Sequence, residues 1–176
     1  GDGGAIVTSN ERLEERSRMI ANHGRIEKYA HLMEGRNSRL DALQARVLSV
    51  KLKYIEGWTS RRRDVADMYF RGLAGIDPSR LVLPAGSAHS RSAYHLFVVR
   101  HRDRDALAHH LRDVGIATGV HYPCALPDLP AYSLEHQSDC PHASEWAHQV
   151  LSLPIGEHMS DEQVAWVIDA VREYLQ

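Results

Sequence analysis

The segment Gly1-Asp2-Gly3-Gly4-Ala5-Ile6-Val7-Thr8 opens the chain and joins a glycine-rich turn to a β-branched stretch. Glycine permits tight turns, whereas isoleucine and valine favour extended backbone, so the pattern predicts a turn followed by a short buried strand over residues 5–8. Thr8 followed three residues later by Glu11 is typical of a capping box, which predicts a helix running to about Asn22. We expect this opening to continue a motif whose first half precedes the chain.

The composition is that of an ordinary globular protein. The chain has 176 residues, of which 43% are hydrophobic and 25% charged, enough for one substantial core or two small ones. Its net charge is -2 and its pI is about 6.7. Because binding to nucleic acid or to an anionic membrane needs a basic excess on one face, the sequence predicts neither partner.

Cysteine usage and hydropathy predict a cytoplasmic protein. The chain has two cysteines, Cys124 and Cys140, too few for a disulfide framework. No apolar run approaches the roughly 18 residues that a membrane span requires. We also expect no metal site, because the histidines and cysteine of the region 136–148 match no structural-zinc spacing. Those residues are His136, Cys140, His142 and His148.

A second helix is the clearest in the sequence. Ser38 with Asp41 is typical of a helix start, and the polar stretch 25–36 before it is predicted to be an exposed loop. The helical pattern continues to Leu73, although Gly57 favours a bend. The apolar residues follow alternating steps of three and four, at Leu40, Leu43, Val47, Val50 and Tyr54.

Helices and strands alternate after the long helix. Strands are predicted over 93–99 and 116–122, and helices over 104–114 and 141–151. A last helix should follow Ser160, which forms a capping-box pattern with Gln163. The pattern indicates a mixed α and β protein with a domain boundary in the long helix near residues 57–63.

Two short motifs are candidates for chemistry. Asn37 and Arg39 flank Ser38 at a predicted helix start, where free N–H groups and the helix dipole favour an anion such as phosphate. The alternative is that Ser38 only caps the helix while Arg39 is solvated. His121 and Tyr122 end a predicted strand, where ligand sites of α/β sheets commonly lie. The alternative for His121 is a structural histidine.

Other charged groups are given a structural interpretation. The run Arg61-Arg62-Arg63 stands beside acidic residues and is interpreted as a solvated helix face. Lys51 and Lys53 are interpreted as solvated helix charges.

Several motifs together carry a resemblance to a known family. The glycine turn, Asn37-Ser38-Arg39-Leu40-Asp41, the strand 93–99, Gly119-Val120-His121-Tyr122-Pro123 and the segment 150–154 stand in the order and spacing of the DegT/DnrJ/EryC1/StrS sugar aminotransferases. The resemblance implies an α/β protein of the pyridoxal-phosphate (PLP) dependent transferase fold type I, which is aspartate aminotransferase-like. Residues 1–57 would end the large PLP-binding domain and include the start of the long helix. Residues 58–176 would form the small C-terminal α+β domain.

The resemblance also implies roles for particular residues. The lysine that holds PLP covalently in this family would lie just before Gly1, so no catalytic residue is expected within this chain. Asn37 and Arg39 are expected to reach across a dimer interface to the cofactor phosphate of the other subunit. His121 and Tyr122 would lie beside the substrate. Lys28 and Tyr29 would lie near the neighbouring subunit's active site.

The implied activity is the transfer of an amino group, in this family usually from glutamate, onto a nucleotide-linked keto-deoxysugar. The segment 37–52 looks most like members that act on 3-keto deoxysugars. The active unit would be a homodimer with shared active sites, and this chain alone would be inactive. Two alternatives stay open: a half that assembles with a separate lysine-bearing chain, and a non-catalytic dimerising or regulatory remnant of the same fold.

Overall fold

The computed structural model describes residues 3–86, 89–132 and 140–176. The chain divides into two compact units, Gly1–Ile55 and Glu56–Gln176. The sequence places the boundary after Gly57. The assignment of residues 1–57 and 58–176 to a large and a small domain stays a prediction.

The first unit contains two helices and a β-hairpin. Helix α1 covers Glu11–Ala21 and helix α2 covers Ala42–Lys51. Between them, strands β1 (Arg25–Glu27) and β2 (Ala30–His31) pair antiparallel. The predicted loop 25–36 therefore contains a hairpin, because the backbone groups of its two arms bond to each other.

The start of the first unit differs from its prediction. Residues 5–8 form no strand, since the described part of the chain offers them no strand to pair with, and Val7 is 95% exposed. Asn10, and not Thr8, caps helix α1: its Oδ1 accepts a hydrogen bond from the Leu13 N–H at 3.1 Å. The Thr8 hydroxyl instead accepts from the Asn10 N–H.

The second unit is built on a two-stranded antiparallel sheet. Strand β3 (Phe97–Arg100) pairs with strand β4 (Val150–Leu153) in the register Phe97 to Leu153. Single bridges extend it, from Val82 to Arg100 and from Gly119 to Ser152. The helices are α3 (Ile55–Gly72), α4 (Arg104–Asp113), α5 (Pro141–Ala147) and α6 (Asp161–Tyr174), with short 3-10 turns at Leu126–Asp128 and Pro130–Tyr132.

Strand pairing corrects several predicted elements. The strand predicted over 93–99 is Phe97–Arg100, and the one predicted over 116–122 is reduced to the Gly119 bridge. The helix predicted over 141–151 ends at Ala147, because Val150 pairs with Arg100 in the sheet. The interruption of the long helix lies at residues 52–54, and helix α3 runs through Gly57.

Two local predictions are confirmed. Ser160 and Gln163 form a complete capping box at the start of α6, with side-chain bonds of 3.2 and 3.0 Å to each other's backbone N–H. Gly115 follows helix α4 with a φ of +81°, a left-handed conformation that glycine adopts without a Cβ penalty.

An aromatic cluster lies in the core of the second unit. The Phe97 side chain is fully buried, with its ring centroid 4.9 Å from that of Tyr69 and 5.1 Å from that of Phe70. The Tyr69 hydroxyl donates to the Pro154 carbonyl at 2.6 Å, which fixes the chain just after β4. Burial raises the pKa of the Tyr69 phenol.

The three consecutive arginines of α3 are not a solvated face, so that interpretation is wrong. Arg61 donates to the Met159 carbonyl and pairs with Asp161 at 2.7 Å. Arg62 donates to the carbonyls of His95 and Ile155, and Arg63 to that of Ser92. The guanidinium groups satisfy loop carbonyls that helices and strands leave unpaired.

The described residues of the first unit form no comparable core. Every buried apolar side chain among the described residues belongs to the second unit. In the first unit, Leu43 is 76% exposed and Val47 is 52% exposed. Large apolar side chains left exposed in this number are typical of an interaction site. No helix in the described ranges has the length and apolarity that crossing a membrane requires.

Candidate functional site

The residues around Asn37 are held against the end of helix α1. The Arg36 N–H donates to the Ile20 carbonyl at 2.8 Å, and the Ser38 N–H donates to the Ala21 carbonyl at 2.9 Å. These carbonyls belong to the last turn of α1, which has no intrahelical donors for them. The backbone on both sides of Asn37 is thereby fixed.

Asn37 and Arg39 are in direct contact. The Arg39 Nε donates to the Asn37 Oδ1 at 3.0 Å. Because the carboxamide oxygen faces Arg39, the amide nitrogen points elsewhere and is available as a donor. The terminal guanidinium nitrogens of Arg39 have no assigned acceptor among the described residues. The pair therefore presents one positive charge and several N–H donors.

Arg39 lines two clefts of the first unit, and Asn37 lines one of them. One, of about 830 Å³, is lined by the glycine segment from Gly3, by Arg18 and by Asn37 and Arg39. The other, of about 460 Å³, is lined by Arg18, Arg25 and Arg39. Arg39 faces both clefts. Arg18 pairs with Glu14, and Glu15 also lines the smaller cleft, so the three arginines there exceed the carboxylates by one positive charge.

The predicted N-cap at Ser38 is wrong. Helix α2 begins at Ala42, its N-cap residue is Asp41, and no side-chain bond caps it. An Asp41 carboxylate at the helix start already meets the positive end of the dipole and would repel a second anion. The case for an anion site rests on the side chains of Asn37 and Arg39, not on the helix terminus.

The donor set fits the phosphate end of PLP. A phosphate dianion takes charge-assisted hydrogen bonds from a guanidinium and from amide N–H groups, which Arg39 and Asn37 supply beside a cleft. No lysine lines either cleft among the described residues. Lys28, Lys51 and Lys53 are all exposed. The fit is therefore to the phosphate, without a residue for covalent attachment.

Lys28 and Tyr29 form the tip of the β1–β2 hairpin. The Lys28 Nζ lies 5.3 Å from the centroid of the Tyr29 ring, and Tyr29 is 84% exposed. An exposed cation over an exposed ring contributes little to stability. This projecting tip is suited to contacting another molecule.

His121 and Tyr122 belong to the second unit. They do not end a strand, as the sequence predicts, but follow the bridge between Gly119 and Ser152. The His121 Nδ1 lies 2.9 Å from the Ser152 Oγ, and its ring meets Tyr122 edge to face with centroids 5.6 Å apart. Tyr122 is 73% exposed, so the corner is open to a ligand.

Sequence reasoning assigned no role to Ser152 or Arg18. Ser152 is a buried polar residue, 4% exposed, inside the apolar strand β4. A hydroxyl within an otherwise apolar run is a signal that the sequence carries, because such a group needs a buried partner. Nothing in the sequence marks Arg18 as a cleft residue, since charged residues are common on the polar face of an amphipathic helix.

The structure describes only part of residues 136–148, the region whose histidines and cysteine are predicted to form no metal site. Within 3–86, 89–132 and 140–176, no three histidine, cysteine, aspartate or glutamate side chains are placed to bind a metal ion together. His136 lies outside these ranges.

Comparison with protein families gives one match over nearly the whole chain. Residues 1–172 match the model of the DegT/DnrJ/EryC1/StrS aminotransferase family. Members of this family depend on PLP.

Among curated relatives, the dTDP-3-amino-3,4,6-trideoxy-alpha-D-glucose transaminase of Streptomyces venezuelae is 44% identical over 178 residues, covering 100% of this chain and 46% of its own length. The erythromycin biosynthesis sensory transduction protein EryC1 of Saccharopolyspora erythraea is 43% identical over 98% of this chain and 47% of its own length. The chain thus spans about half the length of the curated relatives it matches.

A solved structure gives the same result. The X-ray crystal structure of S. venezuelae DesV matches with a TM-score of 0.90 and 43% identity, over 97% of this chain and 46% of that chain. The fold is the C-terminal part of a type I PLP-dependent transferase, as the resemblance implies. The chain belongs to the DegT/DnrJ/EryC1/StrS aminotransferase family.

Proposed function

We propose that the intact protein is a PLP-dependent aminotransferase that moves an amino group, with glutamate as donor, onto a nucleotide-linked 3-keto-deoxysugar. The observation that carries the proposal is the 44% identity, over the entire chain, to a protein named as a dTDP-amino-sugar transaminase. The test is direct: the intact protein, PLP, glutamate and a dTDP-linked 3-keto-deoxysugar should yield the amino sugar and 2-oxoglutarate. Failure with every nucleotide-linked keto-sugar would refute it.

Asn37 and Arg39 are proposed to hold the cofactor phosphate. The guanidinium and amide donors beside the clefts support this assignment. PLP, when bound, supplies an electron sink for the amino-transfer chemistry. The role of these two residues is to bind and orient its phosphate, and the lysine that transfers protons is expected outside this chain.

A homodimer with shared active sites is proposed as the working unit. The apolar side chains exposed on α2, including Leu43 and Val47, support a surface that a partner subunit covers. In this arrangement Asn37 and Arg39 serve the partner's cofactor, and the hairpin tip with Lys28 and Tyr29 approaches the partner's substrate. A cytoplasmic location suits nucleotide-sugar substrates and stays a prediction.

His121 and Tyr122 are proposed to contact the sugar substrate. The open corner and the polar imidazole support a hydrogen bond to a sugar or diphosphate oxygen. Neither residue is needed as the proton-transfer base in this proposal.

A second candidate is a non-catalytic regulatory role for the same fold. Two relatives carry regulatory names, the sensory transduction protein EryC1 and a pleiotropic regulatory protein of Geobacillus stearothermophilus that is 37% identical over 99% of this chain. Amino transfer by the intact protein would reject this alternative, whereas PLP-independent dimerisation without turnover would favour it. If this chain is a half that assembles with a separate lysine-bearing chain, activity should appear only when that second chain is added.

The isolated chain should form no covalent bond with PLP. A nucleophilic lysine needs an environment that lowers its pKa, and the three lysines here are exposed. The chain is incubated with PLP, reduced with borohydride and digested for peptide mass analysis. Stoichiometric labelling of Lys28, Lys51 or Lys53 would contradict the prediction, and free lysine at equal concentration provides the background.

Replacing His121 by alanine in the intact protein should mainly weaken sugar binding. The loss of one polar contact costs about 0.5–1.5 kcal/mol, or roughly two- to tenfold in sugar affinity. PLP absorbance and the half-reaction with the amino donor should survive. Stopped-flow measurement of both half-reactions decides, and collapse of the donor half-reaction with normal sugar affinity would show that His121 serves the cofactor instead.

A further inference from the structure

The hydroxyl of Ser152 is a buried polar group with one partner among the described residues. Ser152 is 4% exposed, and its main chain bonds to Gly119 in both directions, at 3.1 and 2.7 Å. Its Oγ contacts the His121 Nδ1 at 2.9 Å and has no other assigned partner in the described ranges. Because a buried hydroxyl without an acceptor is destabilising, its proton should be directed to Nδ1.

The direction of this hydrogen bond is linked to the tautomer of His121. When the Ser152 O–H donates, the Nδ1 must be the unprotonated, accepting nitrogen of the neutral ring. The ring proton then resides on Nε2. The imidazole therefore offers one N–H donor from its Nε2 and no lone pair there.

Gly119 limits where the ring can lie. A Cβ on Gly119 would stand 2.8 Å from the His121 Cε1 and 3.4 Å from its Nδ1. The imidazole thus lies against the bare Cα of Gly119 while its Nδ1 bonds to Ser152. Two contacts from the bridge at Gly119 and Ser152 restrain both the position and the tautomer of the ring.

We propose that Ser152 is a positioning residue that holds His121 as the Nε2–H tautomer, so that the imidazole acts as a directed hydrogen-bond donor to an oxygen of the sugar substrate. The substrate part rests on the proposed function. A fixed donor recognises a carbonyl, hydroxyl or phosphate oxygen and cannot accept a proton at Nε2 in its neutral form. His121 is then a substrate-binding group, not a general base.

The tautomer can be measured without any turnover. Long-range ¹H–¹⁵N spectra of the full 176-residue chain, at a pH near 8 where an ordinary histidine is neutral, distinguish a protonated from an unprotonated ring nitrogen. His121 is assigned by its absence in the His121→Ala spectrum. We expect Nδ1 to be unprotonated and Nε2 to carry the proton. A protonated Nδ1 would overturn the proposal.

Variants distinguish the effect of losing the Ser152 hydroxyl from an effect on folding. Ser152→Ala should shift the tautomer ratio of His121 by roughly two- to tenfold, the range that one hydrogen bond supports. Ser152→Thr retains the hydroxyl and should retain the ratio. Ser49→Ala removes an exposed hydroxyl that bonds to the Ala45 carbonyl and is the matched control. An unchanged ratio in a folded Ser152→Ala chain would overturn the proposal.

Kinetics then tests the substrate part. In the intact protein, Ser152→Ala should raise KM for the nucleotide sugar by roughly two- to tenfold, with the half-reaction of the amino donor unchanged. Ser152→Thr should restore the KM. A changed tautomer with an unchanged sugar KM would support the positioning by Ser152 but overturn the substrate role of His121. An intact protein without any amino transfer would instead refute the proposed function.

Discussion

Replacing Asn37 by alanine in the intact protein should weaken PLP retention roughly tenfold to a hundredfold. The structure places the Asn37 carboxamide against the Arg39 guanidinium, so the variant removes one donor and also releases the Arg39 side chain. A lost hydrogen bond to a charged group costs about 1.5–3 kcal/mol. Equilibrium dialysis of the cofactor, followed by its absorbance, measures the effect.

Arg39→Ala extends this test. Because the two side chains bond to each other, the double variant should lose less PLP-binding free energy than the two single variants lose together. Arg12→Ala removes an exposed arginine of α1 that lines neither cleft and should leave PLP affinity unchanged. Equal cofactor affinity in wild type and Asn37→Ala would contradict the phosphate assignment.

Mixed dimers would test whether the site is shared. If Asn37 serves the partner's cofactor, a dimer of one Asn37→Ala subunit and one subunit that lacks the catalytic lysine has either one intact site or none, depending on which chain supplies Asn37. In the shared arrangement both lesions fall in one site, so activity should persist at the other. Full activity from a strict monomer would refute the shared site.

Phe97→Ala should be the most destabilising single substitution in the second unit. The Phe97 ring is fully buried and packs against Tyr69 and Phe70, so truncation leaves a cavity inside an aromatic cluster. Truncating a buried phenylalanine to alanine lowers the free energy of unfolding by about 3–5 kcal/mol. Urea denaturation, followed by circular dichroism, should show a lower unfolding midpoint for this unit.

The matched control is Leu126→Ala, which shortens a side chain that is 67% exposed in the same unit. This substitution should change the free energy of unfolding by no more than about 0.5 kcal/mol. Phe97→Leu conserves most of the volume and should lie between the two. Equal midpoints for Phe97→Ala and Leu126→Ala would show that the aromatic cluster does not control the stability of this unit.

Two local signals in the sequence were sufficient, although those at Thr8 and Ser38 were not. The capping box of Ser160 and Gln163 predicts α6 because both bonds close within four residues. Gly115 predicts the end of α4 because a single left-handed residue terminates a helix. The family motifs predicted the fold because their order and spacing extend over the chain.

Sequence periodicity was less reliable where two segments meet. The spacing of apolar residues predicts a helix over 141–151, but the helix ends at Ala147 and Val150 pairs with Arg100 of β3. The three arginines of α3 resembled a solvated face, yet Arg62 reaches carbonyls more than thirty residues away. Such contacts have no local signature, because their partners come from other parts of the chain.

By itself, the sequence determined the family and the approximate positions of most helices, and its ordered set of motifs singled out Asn37, Arg39 and His121 as candidate residues. Only the tertiary structure decided what those residues contact. It moved the start of α2 to Ala42, joined Arg39 to Asn37, and placed the buried Ser152 hydroxyl against His121. The physical reason is that strand pairing and burial bring together groups whose separation along the chain carries no information about their distance.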